Sequence, residues 1–291
     1  MNNNDGCIEM TLIRYMNFKW GMDSLKSGLF KVLRPLDAND PYEMMGACCG
    51  KLRQDVEERM LADMHRKWKQ SRIVNPLTPD WDDVARRVRN HASYFMTVIM
   101  ERRTQQSLNR TMSFVDAHEV DAVTDQLMWA HYGEKGAGIR IWLDATKLIT
   151  QYNQIFPVKY DNRRPCINLE TLDNYEIDEA WKPFLEEVMF TKSKAWEYEH
   201  EIRMLISSRV PSGYITERDG MEFISIPPDA IVRVDFGSKG RIEDTIRCVN
   251  ELHALGSFSH VDFQVATFDE SEYKYLYLKY DDLIAGRGVL P

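Results

Sequence analysis

What this chain lacks narrows its chemistry first. No apolar run approaches the roughly 20 residues that span a bilayer. The opening Met1-Asn2-Asn3-Asn4-Asp5-Gly6 has neither a charged n-region nor an apolar h-region. The five cysteines (Cys7, Cys48, Cys49, Cys166 and Cys248) contain no C-x-x-C pair. That odd count without a framework predicts reduced thiols in a cytoplasmic protein. The seven histidines form no H-x-x-x-H or H-E-x-x-H element, so no metal is expected. A G-x-G-x-x-G turn is also missing, which argues against Rossmann-type dinucleotide binding.

What remains is ordinary globular material. Hydrophobic residues make up 44% and charged residues 28% of 291, enough to build a core. The chain is read as one α+β domain over residues 1–291, with a helical insertion at about 50–110. The net charge of −8 is uneven. Residues 51–110 hold 13 basic and 8 acidic residues, against 24 and 37 in the rest. A basic segment on an acidic body can steer an anionic partner, nucleic acid or protein. Solvated helix faces would look the same.

Hydrophobic spacing supplies the elements. Thr11 to Tyr15 predicts a strand, Asp23 to Phe30 a helical turn or two, and Asn39-Asp40-Pro41-Tyr42 a turn. A helix is expected from Lys51 to about Ser71. Trp81, Val84, Val88, Ala92, Phe95 and Ile99 recur at three and four, which predicts one buried stripe capped by Thr78-Pro79. Met60, Met64, Met96 and Met100 should pack this helix pair. Strands follow at 112–115, 138–143, 156–160, 200–208, 222–226 and 231–237, with a helix from Glu179 to Phe190. A β-α-β unit closes the chain: a strand ending near Gly237, a helix from Arg241 to Leu255 and a strand from Val261 to Phe268. Tyr273 to Tyr280 reads as a last strand. The expected core is a mixed, mostly antiparallel sheet.

Two stretches concentrate chemistry. In Trp196-Glu197-Tyr198-Glu199-His200-Glu201-Ile202-Arg203, strand periodicity sets Glu199, Glu201 and Arg203 on one face and His200, Ile202, Met204 and Ile206 on the other. Carboxylates about 7 Å apart either pair with Arg203 as an ion network or face a cleft. Leu127-Met128-Trp129-Ala130-His131-Tyr132-Gly133 leads through Gly136-Ala137-Gly138 into a strand. Its aromatics can line a pocket for a flat ring, or pack as a core helix. Arg14, in the apolar strand ending at Tyr15, must find an anion on the protein or on a ligand.

Asn39-Asp40-Pro41-Tyr42-Glu43, Leu127 to Tyr132 and Lys192-Ser193-x-x-Trp196-x-Tyr198-Glu199-x-Glu201-x-Arg203 together resemble the bacterial domain-of-unknown-function (DUF) 2971 family. Arg14-Tyr15 and the strand ending at Gly237 fit the same pattern. The resemblance runs from residue 12 to about 240, interrupted by the helical segment. Where that family often shows Cys-Phe-Ser, this chain has Met112-Ser113-Phe114. The family name implies no activity. More distantly, Arg14, Ser113 and Glu199-x-Glu201 resemble, in order, the pattern of Arg-Ser-Glu type ADP-ribosyltransferases. That similarity implies an NAD-consuming enzyme, toxin- or defence-related. Glu201 would stabilise the ribosyl oxocarbenium and Glu199 would orient the acceptor. Arg14 would hold the pyrophosphate, and Trp129 or Tyr132 would stack on nicotinamide, with Tyr15, Ser113 and His131 lining the NAD site.

This reading requires Arg14, Tyr132 and Glu201 to converge on one cleft. It fails if Arg14 lies on the opposite side of the sheet. A non-catalytic nucleic-acid- or protein-binding module, engaging its partner through 51–110, is the alternative. A metal-dependent phosphoester hydrolase using Glu199, Glu201 and Asp40 is the third.

Overall fold

The computed structural model describes residues 10–37, 40, 42–74, 79–105, 109–174, 181–207 and 209–286. The chain is α+β and divides into two compact units, 1–34, 108–158 and 195–291 against 35–107 and 159–194. The first contains β1 (Thr11–Met16), α1 (Phe18–Ser27), β2 (Leu29–Val32), β4 (Arg110–Asp116), α5 (Ala122–His131), β5 (Ile139–Asp144) and β6 (Asn153–Pro157). It continues with β10 (Glu201–Ile206), β11 (Ile215–Arg218), β12 (Met221–Ser225), β13 (Ile231–Phe236), α7 (Ile242–Ala254), β14 (Asp262–Phe268), β15 (Tyr275–Lys279) and α8 (Tyr280–Ile284). The second holds β3 (Ala47–Cys49), α2 (Gln54–Val74), α3 (Trp81–Asn90), α4 (Ala92–Gln105), β7 (Lys159–Asp161), β8 (Cys166–Asn168), α6 (Lys182–Met189) and β9 (Thr191–Ser193).

The first unit is organised by an eight-stranded sheet in the order β15-β14-β13-β5-β1-β4-β10-β6. All its pairs are antiparallel except β13 with β14, which α7 connects as the expected β-α-β unit. A smaller sheet, β11-β12-β2, belongs to the same unit. Residues facing each other across an antiparallel pair share a face, so the register assigns every side chain to one side of the sheet. Leu12, Met16, Met112, Phe114, Ile141, Ile202, Met204 and Val234 lie on one side and join the largest apolar cluster. Ile13, Tyr15 and Val115 lie on the other, in a cluster with Met128 and Trp129 of α5.

The second unit has its own core, in which Met60, Met96 and Met100 are buried with Val56, Val88, Trp181 and Val188. The helical segment near 50–110 lies here, together with 35–49 and 159–194. The stripe from Trp81 to Ile99 is not one helix. It breaks at His91 (φ −135°, ψ 38°), and Ile99 is exposed. Thr78 lies outside the described residues. The N-cap of α3 is Asp80, whose carboxylate accepts from the Asp82 N–H, worth about 1 kcal/mol.

Other boundaries moved for local reasons. α1 starts at Phe18, not Asp23, because the Asn17 side chain caps it by accepting from Trp20 N–H, and Gly28 ends it at φ 70°. The stretch 156–160 is split at Val158 between β6 and β7. β10 begins at Glu201, because Lys194–Glu199 is a 3₁₀ segment and His200 has φ 42°. Glu199 is therefore not a strand residue, and strand alternation does not place it beside Glu201.

Candidate functional site

The polar side of the large sheet carries two linked groups of buried charges. At its centre, Arg140 on β5 donates from Nε to Asp235 (2.7 Å) and from NH1 to Asp125 (2.7 Å). Asp235 also accepts from Trp142 Nε1 and Arg233 Nε, each at 2.6 Å. Asp125 takes the Tyr15 hydroxyl at 2.7 Å and the Tyr277 hydroxyl, and Tyr277 in turn accepts from Trp129 Nε1 at 2.9 Å. The Arg140 guanidinium lies 4.0 Å from the Tyr277 ring centre. Burial lowers the Arg140 pKa, but Asp235 and Asp125 outweigh it and hold the guanidinium above the usual arginine range. Every charge in this group has a protein partner.

The second group lies on the same side, towards β10. Glu201 is 4% exposed. It accepts from Ser113 Oγ (2.6 Å), Arg203 Nε (2.9 Å) and Arg203 NH2 (2.8 Å). Arg203 faces Ser113 in register and is itself fully buried. Glu199, 3% exposed, accepts from the Tyr132 hydroxyl at 2.6 Å. Burial, and then the Glu199 hydrogen bond, push the Tyr132 phenol well above its ordinary pKa, so it stays a donor. An aromatic rim lies close by. The exposed His131 ring is 6.3 Å from Tyr132 and 6.2 Å from Tyr198, and Tyr198 is 6.2 Å from Trp196.

Five of the residues singled out from the sequence, Ser113, His131, Tyr132, Glu199 and Glu201, thus cluster together. Three do not belong with them. Trp129 is fully buried and meets the Tyr15 ring edge-on at 5.4 Å, so both are core side chains. Their apolar bodies fill the space under α5 while their polar tips complete the Asp125 network. Arg14 is on the opposite side of the sheet. It faces Ile141 in register, and its guanidinium lies 5.8 Å from the Phe114 ring. The convergence required of Arg14, Tyr132 and Glu201 is absent, because the two-residue period that puts Tyr15 on the polar side puts Arg14 on the apolar one.

Arg14 finds no anion among the described residues. It donates to the backbone carbonyls of Ser113 (2.9 Å) and Lys31 (3.3 Å), and its buried Nε has no partner. Burial lowers its pKa to about 10. The glycines before β5 and after β13 also serve the fold. A Cβ at Gly138 would come within 2.2 Å of the Met16 carbonyl, and one at Gly237 within 2.3 Å of the Gly136 carbonyl. The close backbone approach there is made by the chain itself.

Glu199 and Glu201 are both buried, and the ion pair of Glu201 with Arg203 is an interior one. Asp40 caps its own turn, accepting from Tyr42 N–H at 2.9 Å; Asn39 and Pro41 lie outside the described residues. Among the described residues no group of three or more His, Cys, Asp or Glu is arranged to hold a metal ion. No described helix is long and apolar enough to cross a membrane. Asp125, Arg140, Asp235 and Tyr277 had no place in the sequence expectations. The available signal was a charge inside an apolar strand, Ile139-Arg140-Ile141 and Val234-Asp235-Phe236.

Comparison with known proteins adds one match. The family model described as "Protein of unknown function (DUF2971)" covers residues 128–204. That span includes Met128 to Tyr132 and Lys192 to Arg203. It leaves Arg14, Tyr15, the 39–43 turn and Gly237 outside. No curated protein and no solved structure matches the chain. None of these comparisons supports the similarity to ADP-ribosyltransferases.

Proposed function

We propose that this chain is a binding module that engages the phosphate backbone of a nucleic acid through the α2–α3 helices of its second unit. The observation that carries the reading is the surface of those helices. Lys67, Lys69, Arg87 and Arg89 are all exposed, and no ion pair joins any of them to a described carboxylate. Arg66 and Arg86, by contrast, pair with Asp63 and Asp83. The unit as a whole is close to neutral, with 18 basic and 19 acidic residues by sequence. It therefore offers no long-range steering, and attraction comes from local phosphate contacts alone.

Binding of this kind is modest and strongly salt-dependent. Residues two apart on a helix point to different faces, so one contact from each helix, Lys67 and Arg87, gives a slope of log K against log salt of about −1.8 on duplex DNA. A fluorescence titration of a labelled duplex between low and moderate salt measures it. The reading predicts that Lys67→Glu with Arg87→Glu removes binding. Absent binding, or binding indifferent to salt, ends it.

A second reading keeps catalysis in the first unit, favoured by the two hydroxyl-bonded carboxylates beside the aromatic rim. Glu201 would stabilise a ribosyl oxocarbenium and Glu199 would orient the acceptor, with NAD as donor. Two facts weigh against it: Arg14 is on the wrong side for the pyrophosphate, and Arg203 already neutralises Glu201. Nicotinamide release from NAD by the wild type, lost in Glu201→Gln, would restore this reading to first place.

A further inference from the structure

We propose that the second unit contains a binding site for a nucleoside diphosphate, separate from the α2–α3 surface. A concavity of about 320 Å³ lies among Tyr42, Met45, Asp161, Arg163, Arg164 and Thr191. That volume is at the lower end of small-molecule pockets. Two stretches that drew attention in the sequence contribute here, through Tyr42 and through Lys192-Ser193, and neither has a role in the binding surface above.

The lining is chemically divided. Arg163 and Arg164 are adjacent and exposed. The Arg163 guanidinium makes no hydrogen bond or ion pair with a described residue. Arg164 has only a long contact with Glu101, at 3.8 Å and on the surface, worth little. One carboxylate opposes them, Asp161, but its Oδ1 is turned back to accept from the Arg163 backbone N–H at 2.9 Å. Two adjacent guanidiniums suit two adjacent phosphates, each able to take a forked pair of hydrogen bonds.

Thr191 gives the site its most specific feature. Its side chain is 8% exposed, and Oγ1 is buried with no hydrogen-bond partner. A buried hydroxyl without a partner costs free energy, and a ligand oxygen in the concavity would supply the missing bond. Tyr42 contributes an aromatic ring that is 66% exposed, and Met45 a half-buried thioether beside it. A flat base stacks on such a ring. Between these two residues Met44 is buried at φ 57°, a left-handed conformation that an unbranched side chain rarely takes. The chain holds Tyr42 and Met45 at the concavity through a strained turn.

The test is calorimetric titration of the full chain with ADP, adenosine and inorganic pyrophosphate. ADP should bind saturably, and each fragment at least about tenfold more weakly. Arg163→Gln with Arg164→Gln, both exposed positions, should weaken ADP by about tenfold or more. Thr191→Val keeps the shape and should leave the melting temperature unchanged or slightly raised while weakening ADP about fivefold. Lys67→Glu should leave ADP binding as it was. The proposal is overturned if ADP does not bind, if the arginine or threonine variants bind it normally, or if adenosine or pyrophosphate alone binds as tightly as ADP.

Discussion

Arg14 and Arg140 face each other's neighbours across β1 and β5, yet they live in different chemical worlds. Arg140 lies on the polar side of the sheet, between two carboxylates and against the Tyr277 ring. Arg14 lies on the apolar side, with two backbone carbonyls and an unpartnered Nε. Both are single cations in apolar strands, the same signal in sequence. The difference is that a buried charge is stable in proportion to the partners that replace its water, and those partners come from other elements, β13 at 95 residues and α5 at 15 residues along the chain.

The largest effect should follow from unpairing the better-served side. Asp235 accepts from three side chains and is fully buried. Asp235→Ala leaves Arg140 with Asp125 alone and takes the carboxylate from Arg233, and should lower unfolding free energy by about 3 kcal/mol, read by urea denaturation. A loss under about 1 kcal/mol would mean that water or a rearranged Asp125 takes over, and that the two sides of the sheet differ less than their geometry implies.

Glu201→Gln comes next. The amide keeps a hydrogen bond to Ser113 but removes the charge that balances Arg203, so a loss of about 2 kcal/mol is expected. The same variant separates structure from chemistry. A destabilised protein with no change in any NAD assay marks the pair as scaffold, whereas lost turnover at unchanged stability marks it as machinery.

The contrast also explains what the sequence made legible. Strand periodicity correctly separates Ile202, Met204 and Ile206 from Arg203, because alternation is a local property of extended backbone. It fails at Glu199, since a 3₁₀ segment and the positive φ of His200 delay the start of the strand to Glu201. Met60, Met96 and Met100 were readable as packing residues because helical spacing alone buries them. Which side of the sheet Arg14 occupies was fixed by pairing with β5, and the order of strands is a long-range fact. The site suffered most: Trp129 and Tyr15 carry aromatic rings as a pocket would, but the Asp125 that turns them into core is a partner only in three dimensions. Thr191 and Arg163, 28 residues apart in sequence, gave no joint signal at all.

A smaller effect should appear at alkaline pH. Burial raises the phenol pKa of Tyr15, Tyr132 and Tyr277 above the ordinary 10. Above that pH the unfolded chain releases these protons while the folded chain keeps them. Their contribution is fully present below pH 10 and is lost as pH rises, by about 1.4 kcal/mol per pH unit for each tyrosine. Tyr132→Phe should remove one such increment, making the loss shallower in melts between about pH 10 and 11.

The smallest expected change is the one that tests the comparison most directly. Arg14→Met removes two hydrogen bonds to carbonyls, but it also removes a half-buried cation that no described carboxylate offsets. These terms oppose each other, so the variant should lie within about 1 kcal/mol of wild type at neutral pH. The alkaline behaviour gives it a signature. Burial lowers the Arg14 pKa to about 10 in the folded chain, against the higher ordinary arginine range in the unfolded one. Between those values the folded chain has lost a proton that the unfolded chain keeps, so this residue makes stability rise with pH and partly offsets the tyrosines. Without it, the alkaline loss should steepen by about 1.4 kcal/mol per pH unit. An Arg14→Met variant that is instead several kcal/mol less stable at neutral pH would reveal an anion bound beside the guanidinium, and the apolar side of the sheet would then hold a site of its own.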